Sequence, residues 1–156
     1  MLKITLLWPG KTREAWLQQG ISAYIKRLGH YYQLELVETR AGSIRGRRPN
    51  EVMEAEANLL IRAVPKGARV AVLDIKGHSM SSEALASLMR KEGDCGTRNL
   101  CFIIGGAYGL SDQVISMAQW RISLSPMTFT HEMARLILTE QLYRAATINA
   151  GEPYHH

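Results

Sequence analysis

Three glycines, Gly105, Gly106 and Gly109, come directly after the apolar run Leu100 to Ile104 and just ahead of Ser111. Without a Cβ the backbone turns sharply there and can approach a bound molecule closely, while Ser111 is a good helix N-cap. An unbroken apolar run rich in β-branched and aromatic residues suits a strand covered on both faces, which implies a parallel sheet. A glycine loop at the carboxyl end of such a strand is a natural ligand site. A second loop of this kind, ISLSPMTFTHE from Ile122 to Glu132, runs from a short strand through Pro126 into a helix that Thr130 can cap. Asp74, Lys76, Gly77 and His78 read as a third turn at a strand end, so three loops can line one crevice.

The glycine spacing matches neither G-x-G-x-x-G nor G-x-x-x-x-G-K-[ST], so hydride transfer and ATP hydrolysis lose support. Cys95 and Cys101 form no CxxC pair and adjoin no histidine, which argues against a metal centre and against disulfide chemistry. Spacing alone stops at a nucleotide-like ligand in a parallel α/β sheet.

The elements that must hold these loops alternate. Strands are predicted at Leu2 to Leu7, Leu34 to Glu38, Arg69 to Asp74, Leu100 to Ile104 and Arg121 to Leu124, with helical patterns between them. The first helix runs from Arg13 to Leu28, its apolar stripe made by Trp16, Leu17, Ile21, Tyr24, Ile25 and Leu28, with Gly29 as its stop. The second starts at an Asn50 cap and ends before Pro65; the third starts at Ser81 or Ser82, the fourth at Ser111, and the fifth spans Thr130 to Ile148. The 156 residues fit one domain, residues 1 to 156, with 46% hydrophobic and 21% charged residues. No apolar run approaches the roughly 20 residues that cross a bilayer, and the N-terminus reads as a strand rather than a signal segment, so a cytoplasmic protein without a membrane partner is expected.

The formal net charge is +5, which favours an anionic partner such as RNA. Arg45, Arg47 and Arg48 lie with Arg40 in the glycine-containing loop RAGSIRGRRP, which reads either as a phosphate-contacting loop or as a solvated surface. In the fifth helix Ala134, Leu138, Leu142 and Ala145 share one face, while Leu136 and Tyr143 project from nearly the opposite side. A helix with two apolar sides needs two partners: a second copy of the chain across a two-fold axis, or its own core on both sides.

Four ordered blocks carry a family resemblance over nearly the whole chain: VLDIKG at Val72 to Gly77, FIIGGAYGLS at Phe102 to Ser111, SLSPMTFTHEMARLILTEQLYRA at Ser123 to Ala145, and the terminal PYHH. The sequence resembles the ribosomal RNA large subunit methyltransferase H family, a small branch of the SPOUT methyltransferases. That resemblance implies a parallel-sheet α/β SPOUT fold with a C-terminal trefoil knot, a homodimer, S-adenosylmethionine as methyl donor and no metal. It implies methylation of N3 of a pseudouridine in the large-subunit (23S) ribosomal RNA, in the stem-loop facing the decoding region of the assembled ribosome. A non-catalytic RNA-binding assembly factor that kept the fold is the alternative.

Carried across by motif, cofactor contacts fall to Leu73, Gly105, Leu124, Ser125, Pro126, Met127, Thr128 and Phe129. Methyl transfer to an imide nitrogen needs that nitrogen deprotonated and held in line with the methyl carbon. The motif match puts His155 forward as base, since imidazole titrates near 6.5 whereas tyrosine near 10 needs help from a cation. Tyr154 is assigned to stacking on the flipped base, and Arg144 to the developing imide anion or a phosphate. His131 and His156 are assigned to substrate contact with Arg45, Arg47 and Arg48, although His131 also suits a structural role at a helix start. Family members often carry a basic residue where this chain has His156, so the charge there depends on pH.

Overall fold

The inner strands form because their apolar residues can be buried on both sides at once. In the computed structural model, which describes residues 1–155 except for the side chain of His155, β1 (Lys3–Pro9), β2 (Gln33–Thr39), β3 (Arg69–Ser79), β4 (Asn99–Ile103) and β5 (Trp120–Ser123) make one sheet. Its order is β2-β1-β4-β3-β5 and every neighbouring pair is parallel. Successive side chains of a strand point to opposite faces. Ile4, Leu6, Trp8, Ala71, Leu100, Phe102 and Ile104 therefore enter one apolar cluster, while Leu7, Val70, Val72, Cys101 and Ile103 enter the other.

Helices α1 (Ala15–Leu28), α3 (Ser82–Asp94) and α5 (His131–Ala150) cover the first face, and α2 (Pro49–Ala63) and α4 (Asp112–Ser116) the second. The predicted caps Ser81, Ser111 and Thr130 each accept a backbone N–H from the first turn of α3, α4 and α5. Helix α2 departs from expectation by two positions: Arg48 is its N-cap and Pro49 opens it, because proline's fixed φ suits a first helical position that needs no N–H donor. None of the described helices is long and apolar enough to cross a membrane.

Two expectations change. The third strand does not end in a turn at Asp74: β3 continues to Ser79, and Ile122 of β5 pairs with both Leu73 and His78, so the intervening residues bulge out and pairing then resumes. Asp74 is fixed across this bulge by an ion pair with Arg121 of β5. The two apolar sides of α5, which pointed to a second copy, both find partners within the chain. Leu138, Leu142, Ala145 and Ala146 sink into the core, while Leu136 lies against Gly20 of α1 and Tyr143 meets Tyr24 and Tyr31. The chain's own first helix covers the second apolar side.

Helix α5 ends at Gly151, whose φ of 71° lies in the left-handed region that closes a helix without side-chain strain. The chain then turns back as a short 3₁₀ segment, Pro153–His155, and the Tyr31 hydroxyl donates to Glu152 at 2.6 Å to hold the return.

Candidate functional site

Because the sheet is parallel, the segments after β3, β4 and β5 emerge along one edge, from three adjacent strands. A cavity of about 260 Å³ opens beneath them on the face covered by α3 and α5. Leu73, Phe102, Ile122 and Leu124 supply apolar wall from the sheet side, and Ile137 and Leu138 from α5. Polar groups gather at Ser81, Ser82, Ser123 and Gln141, where the Ser82 hydroxyl donates to Gln141 Oε1 at 2.6 Å. An apolar slot edged by hydroxyls and an amide suits a flat heteroaromatic ring with a polar rim. Gly77 lets the bulge of β3 lie close against β5: a Cβ there would stand 2.5 Å from the Arg121 carbonyl oxygen.

Of the predicted cofactor residues, Leu73 and Leu124 line the cavity. The loop that follows is folded by its own serines. Ser123 Oγ donates to the Ser125 carbonyl at 3.0 Å, and Ser125 Oγ accepts from the Met127 N–H at 2.9 Å. Pro126, Met127, Thr128 and Phe129 stand exposed, Met127 with 76% of its surface open. Gly105 has a visible structural use as well. It is buried, and a Cβ on it would lie 2.5 Å from the Gly109 carbonyl carbon, so its missing side chain lets the glycine loop close on itself.

Tyr154 and its partners gather on the α1 side of α5. Tyr154 packs edge-on against Tyr143, with ring centroids 4.7 Å apart, and lies under the Arg144 guanidinium at 5.0 Å. Its hydroxyl donates to Glu140 Oε1 at 3.1 Å and shares a 3.2 Å hydrogen bond with Tyr24. Arg144 Nε and Nη2 donate to the same Glu140 oxygen at 3.1 and 2.6 Å. Burial first, with the Tyr24 hydroxyl and the Glu140 charge adding to it, pushes the ionisation of Tyr154 above the usual tyrosine range. Tyr154 is thus a neutral hydrogen-bonding ring and not a base at neutral pH. The side chain of His155, and His156 altogether, lie outside the described residues.

His131 opens α5 half-buried, and desolvation, then Arg135, lowers its pKa from the ordinary histidine value. At neutral pH it is an uncharged imidazole, so its 3.9 Å approach to Glu132 is not an ion pair. Arg45, Arg47 and Arg48 are all exposed, in the loop that leads into α2. Cys95 is exposed and Cys101 buried, where desolvation pushes the thiol up to about 12. Among the described residues no three His, Cys, Asp or Glu side chains cluster as metal ligands.

Several residues at this edge escaped the sequence reading. Arg135 is fully buried over Trp8, with Nη1 donating to Thr12 at 3.0 Å and Nη2 to the Pro9 carbonyl at 2.8 Å. Glu132 accepts the Arg13 and Glu14 N–H groups at 2.9 and 3.1 Å. Together they clamp the start of α5, and with it the end of the SPMTF loop, to the β1–α1 connection. The available signal was position: Arg135 stands on the same helical stripe as Leu138 and Leu142, where a cation must have buried partners.

Residues 2–155 match the family described as predicted SPOUT methyltransferase. The chain is 46% identical to ribosomal RNA large subunit methyltransferase H of Geotalea daltonii, over 99% of this chain and 100% of that one, and 46% identical to the protein so named in Citrifermentans bemidjiense, over 99% of each. Among solved structures it resembles a probable methyltransferase from Bordetella pertussis Tohama I, with a TM-score of 0.56 at 13% identity over 93% of this chain and 96% of that one. TrmJ from Z. mobilis ZM4 gives 0.52 at 16% identity, over 93% of this chain and 70% of that one. At such identities the structures speak for a shared fold alone. The motifs, the parallel sheet and the full-length matches agree: the chain belongs to the ribosomal RNA large subunit methyltransferase H family of SPOUT methyltransferases.

Proposed function

We propose that this protein methylates N3 of a pseudouridine in large-subunit ribosomal RNA, taking the methyl group from S-adenosylmethionine and acting on the stem-loop that faces the decoding region of the assembled ribosome. The reading includes a single domain, a C-terminal trefoil knot, a homodimer and a cytoplasmic location. The observation that carries it is the cavity between Leu73 and Leu124, an apolar slot with a polar rim at the carboxyl edge of three parallel strands.

The donor supplies an electrophilic methyl group on a sulfonium. Leu73 and Leu124 would hold its adenine, with the backbone of Gly105 and of Ser125, Pro126, Met127, Thr128 and Phe129 around it. Leu138, Phe102 and Ile122 keep water from the slot. The N3 nitrogen is a poor nucleophile until its proton leaves, and His155 is the base put forward for that proton. Arg144, a permanent cation, would steady the developing imide anion, and neutral Tyr154 would stack on the base. Arg45, Arg47 and Arg48 would hold phosphates, with His131 and His156 at the RNA as well.

The cavity lies on the α3 side of α5, whereas Tyr154 and Tyr143 lie on the α1 side. A homodimer in which the partner's tail faces the cavity would bring the two halves together, and this supports the dimeric reading.

The test is methyl incorporation from labelled S-adenosylmethionine into whole ribosomes, followed by mass mapping of the RNA. A methylated pseudouridine in the large-subunit stem-loop is the expected result. Absence of donor binding to the folded protein in titration calorimetry would sink the enzyme and leave an RNA-binding factor.

A further inference from the structure

Four hydrogen bonds converge on the Glu140 carboxylate. Oε1 accepts from Arg144 Nε and Nη2 and from the Tyr154 hydroxyl at 3.1, 2.6 and 3.1 Å, and Oε2 accepts from Gln141 Nε2 at 2.7 Å. Gln141 is also a wall of the cavity, where its Oε1 accepts from Ser82 at 2.6 Å. One side chain on α5 therefore touches both residues assigned to the RNA base and, through its neighbour in sequence, the pocket assigned to the donor.

We propose that Glu140 is a positioning residue for methyl transfer: it sets the direction of the Arg144 guanidinium and the Tyr154 hydroxyl, while Gln141, bonded to its other oxygen, belongs to the cavity wall of the same chain. The proposal rests on the methyltransferase reading above. A guanidinium is a planar fork, so tying Nε and Nη2 to one oxygen fixes where Nη1 points. Among the described residues Nη1 has no hydrogen-bond partner, which leaves it available to a developing anion or a phosphate. The Tyr154 ring is equally constrained, held by Tyr143 on its edge, Arg144 over its face and Glu140 with Tyr24 at its hydroxyl. Reaction at a methyl carbon tolerates little misalignment, so a group that removes these rotations acts on turnover more than on binding.

Glu140→Gln keeps the side-chain length and helix propensity but loses the charge, and its amide cannot satisfy Arg144 and Gln141 together. Turnover on ribosomes is expected to fall about tenfold or more, the loss typical of a charge-assisted hydrogen bond, with donor affinity by calorimetry changed less than about twofold. Tyrosine ionisation followed by ultraviolet absorbance is expected to show Tyr154 titrating at lower pH once the anion is gone. The groups facing it are Tyr24 from α1 and Tyr143, Glu140 and Arg144 from α5; one contact further out, Arg27 lies over Tyr24 and Tyr143, and Tyr31, bonded to Glu152, meets Tyr143.

A double-mutant cycle separates positioning from bulk structure. In a Tyr154→Phe background Glu140→Gln should cost far less than it does in the wild type, because the two act as a unit. Unchanged turnover in Glu140→Gln, or losses that simply multiply in the double variant, overturns the proposal. An inactive wild type that binds donor would instead strike the methyltransferase reading, and the role of Glu140 with it.

Discussion

The Glu56 carboxylate stands where a side chain at Gly106 would begin: a Cβ there would lie 2.8 Å from Oε1 and 2.9 Å from Oε2. Glu56 is buried and accepts the Gly42 N–H at 3.0 Å, so this acid joins the glycine loop after β4 to the start of the arginine loop. Gly106→Ala must push the carboxylate off that bond or shift the loop. A loss of about 1–3 kcal/mol is expected, the usual range for overpacking a tight site. Urea unfolding of the variant measures it, and an unchanged midpoint would mean that the carboxylate relocates freely.

The same carboxylate predicts a pH effect. Desolvation raises the Glu56 pKa, only partly offset by the Gly42 N–H and the Arg135 charge. The folded state thus holds this proton to higher pH than the unfolded chain does. Its contribution to stability is fully present below the ordinary glutamate value and is lost as pH rises through the raised one. In Glu56→Gln that loss disappears, so the gap between variant and wild-type melting temperatures should shift in the variant's favour from about pH 4 to pH 7. Parallel melting profiles over that range would remove Glu56 as the cause.

Periodicity made most of the fold readable. The inner strands β1, β4 and the first part of β3 are apolar runs because the centre of the sheet is covered on both sides, and Ser81, Ser111 and Thr130 announce their helices because a cap acts within three residues of itself. The misses have a common physical origin in contacts made across long stretches of chain. The continuation of β3 past Asp74 depends on β5 and the Arg121 pair, and the second apolar side of α5 is met by α1, more than 100 residues earlier. The loops of the site could be named from their glycines and SPMTF motif. The uses of Gly105 and Gly106 could not, since they depend on what stands opposite the missing Cβ, Gly109 in one case and Glu56 in the other.

Glu132 ties the start of α5 to the start of α1, whose own N-cap, Glu14, makes no side-chain capping bond. Glu132→Ala would leave the Arg13 and Glu14 N–H groups without their acceptor and remove a counter-charge from buried Arg135, whose pKa burial already lowers to about 10. A loss of about 2–3 kcal/mol is expected for hydrogen bonds to a charged acceptor, with a smaller loss in Glu132→Gln, which keeps an acceptor oxygen. Hydrogen exchange should show the first turn of α1 opening more readily in Glu132→Ala. Equal protection of that turn in variant and wild type would deny Glu132 the role.

Arg45, Arg47 and Arg48 project into solvent on the loop that Glu56 anchors through Gly42. If they neutralise RNA phosphates, binding releases counterions, and the dependence of affinity on salt reports how many phosphates are neutralised. Changing all three to glutamine should reduce the slope of log affinity against log salt by about 0.7–0.9 for each phosphate that no longer meets an arginine. The variant then binds ribosomes much more weakly than the wild type at low salt, and the difference narrows as salt rises. A phosphate-gripping loop and a merely solvated one have the same composition and exposure, so only this slope separates them: an unaltered slope in the triple variant would assign the arginines to solubility.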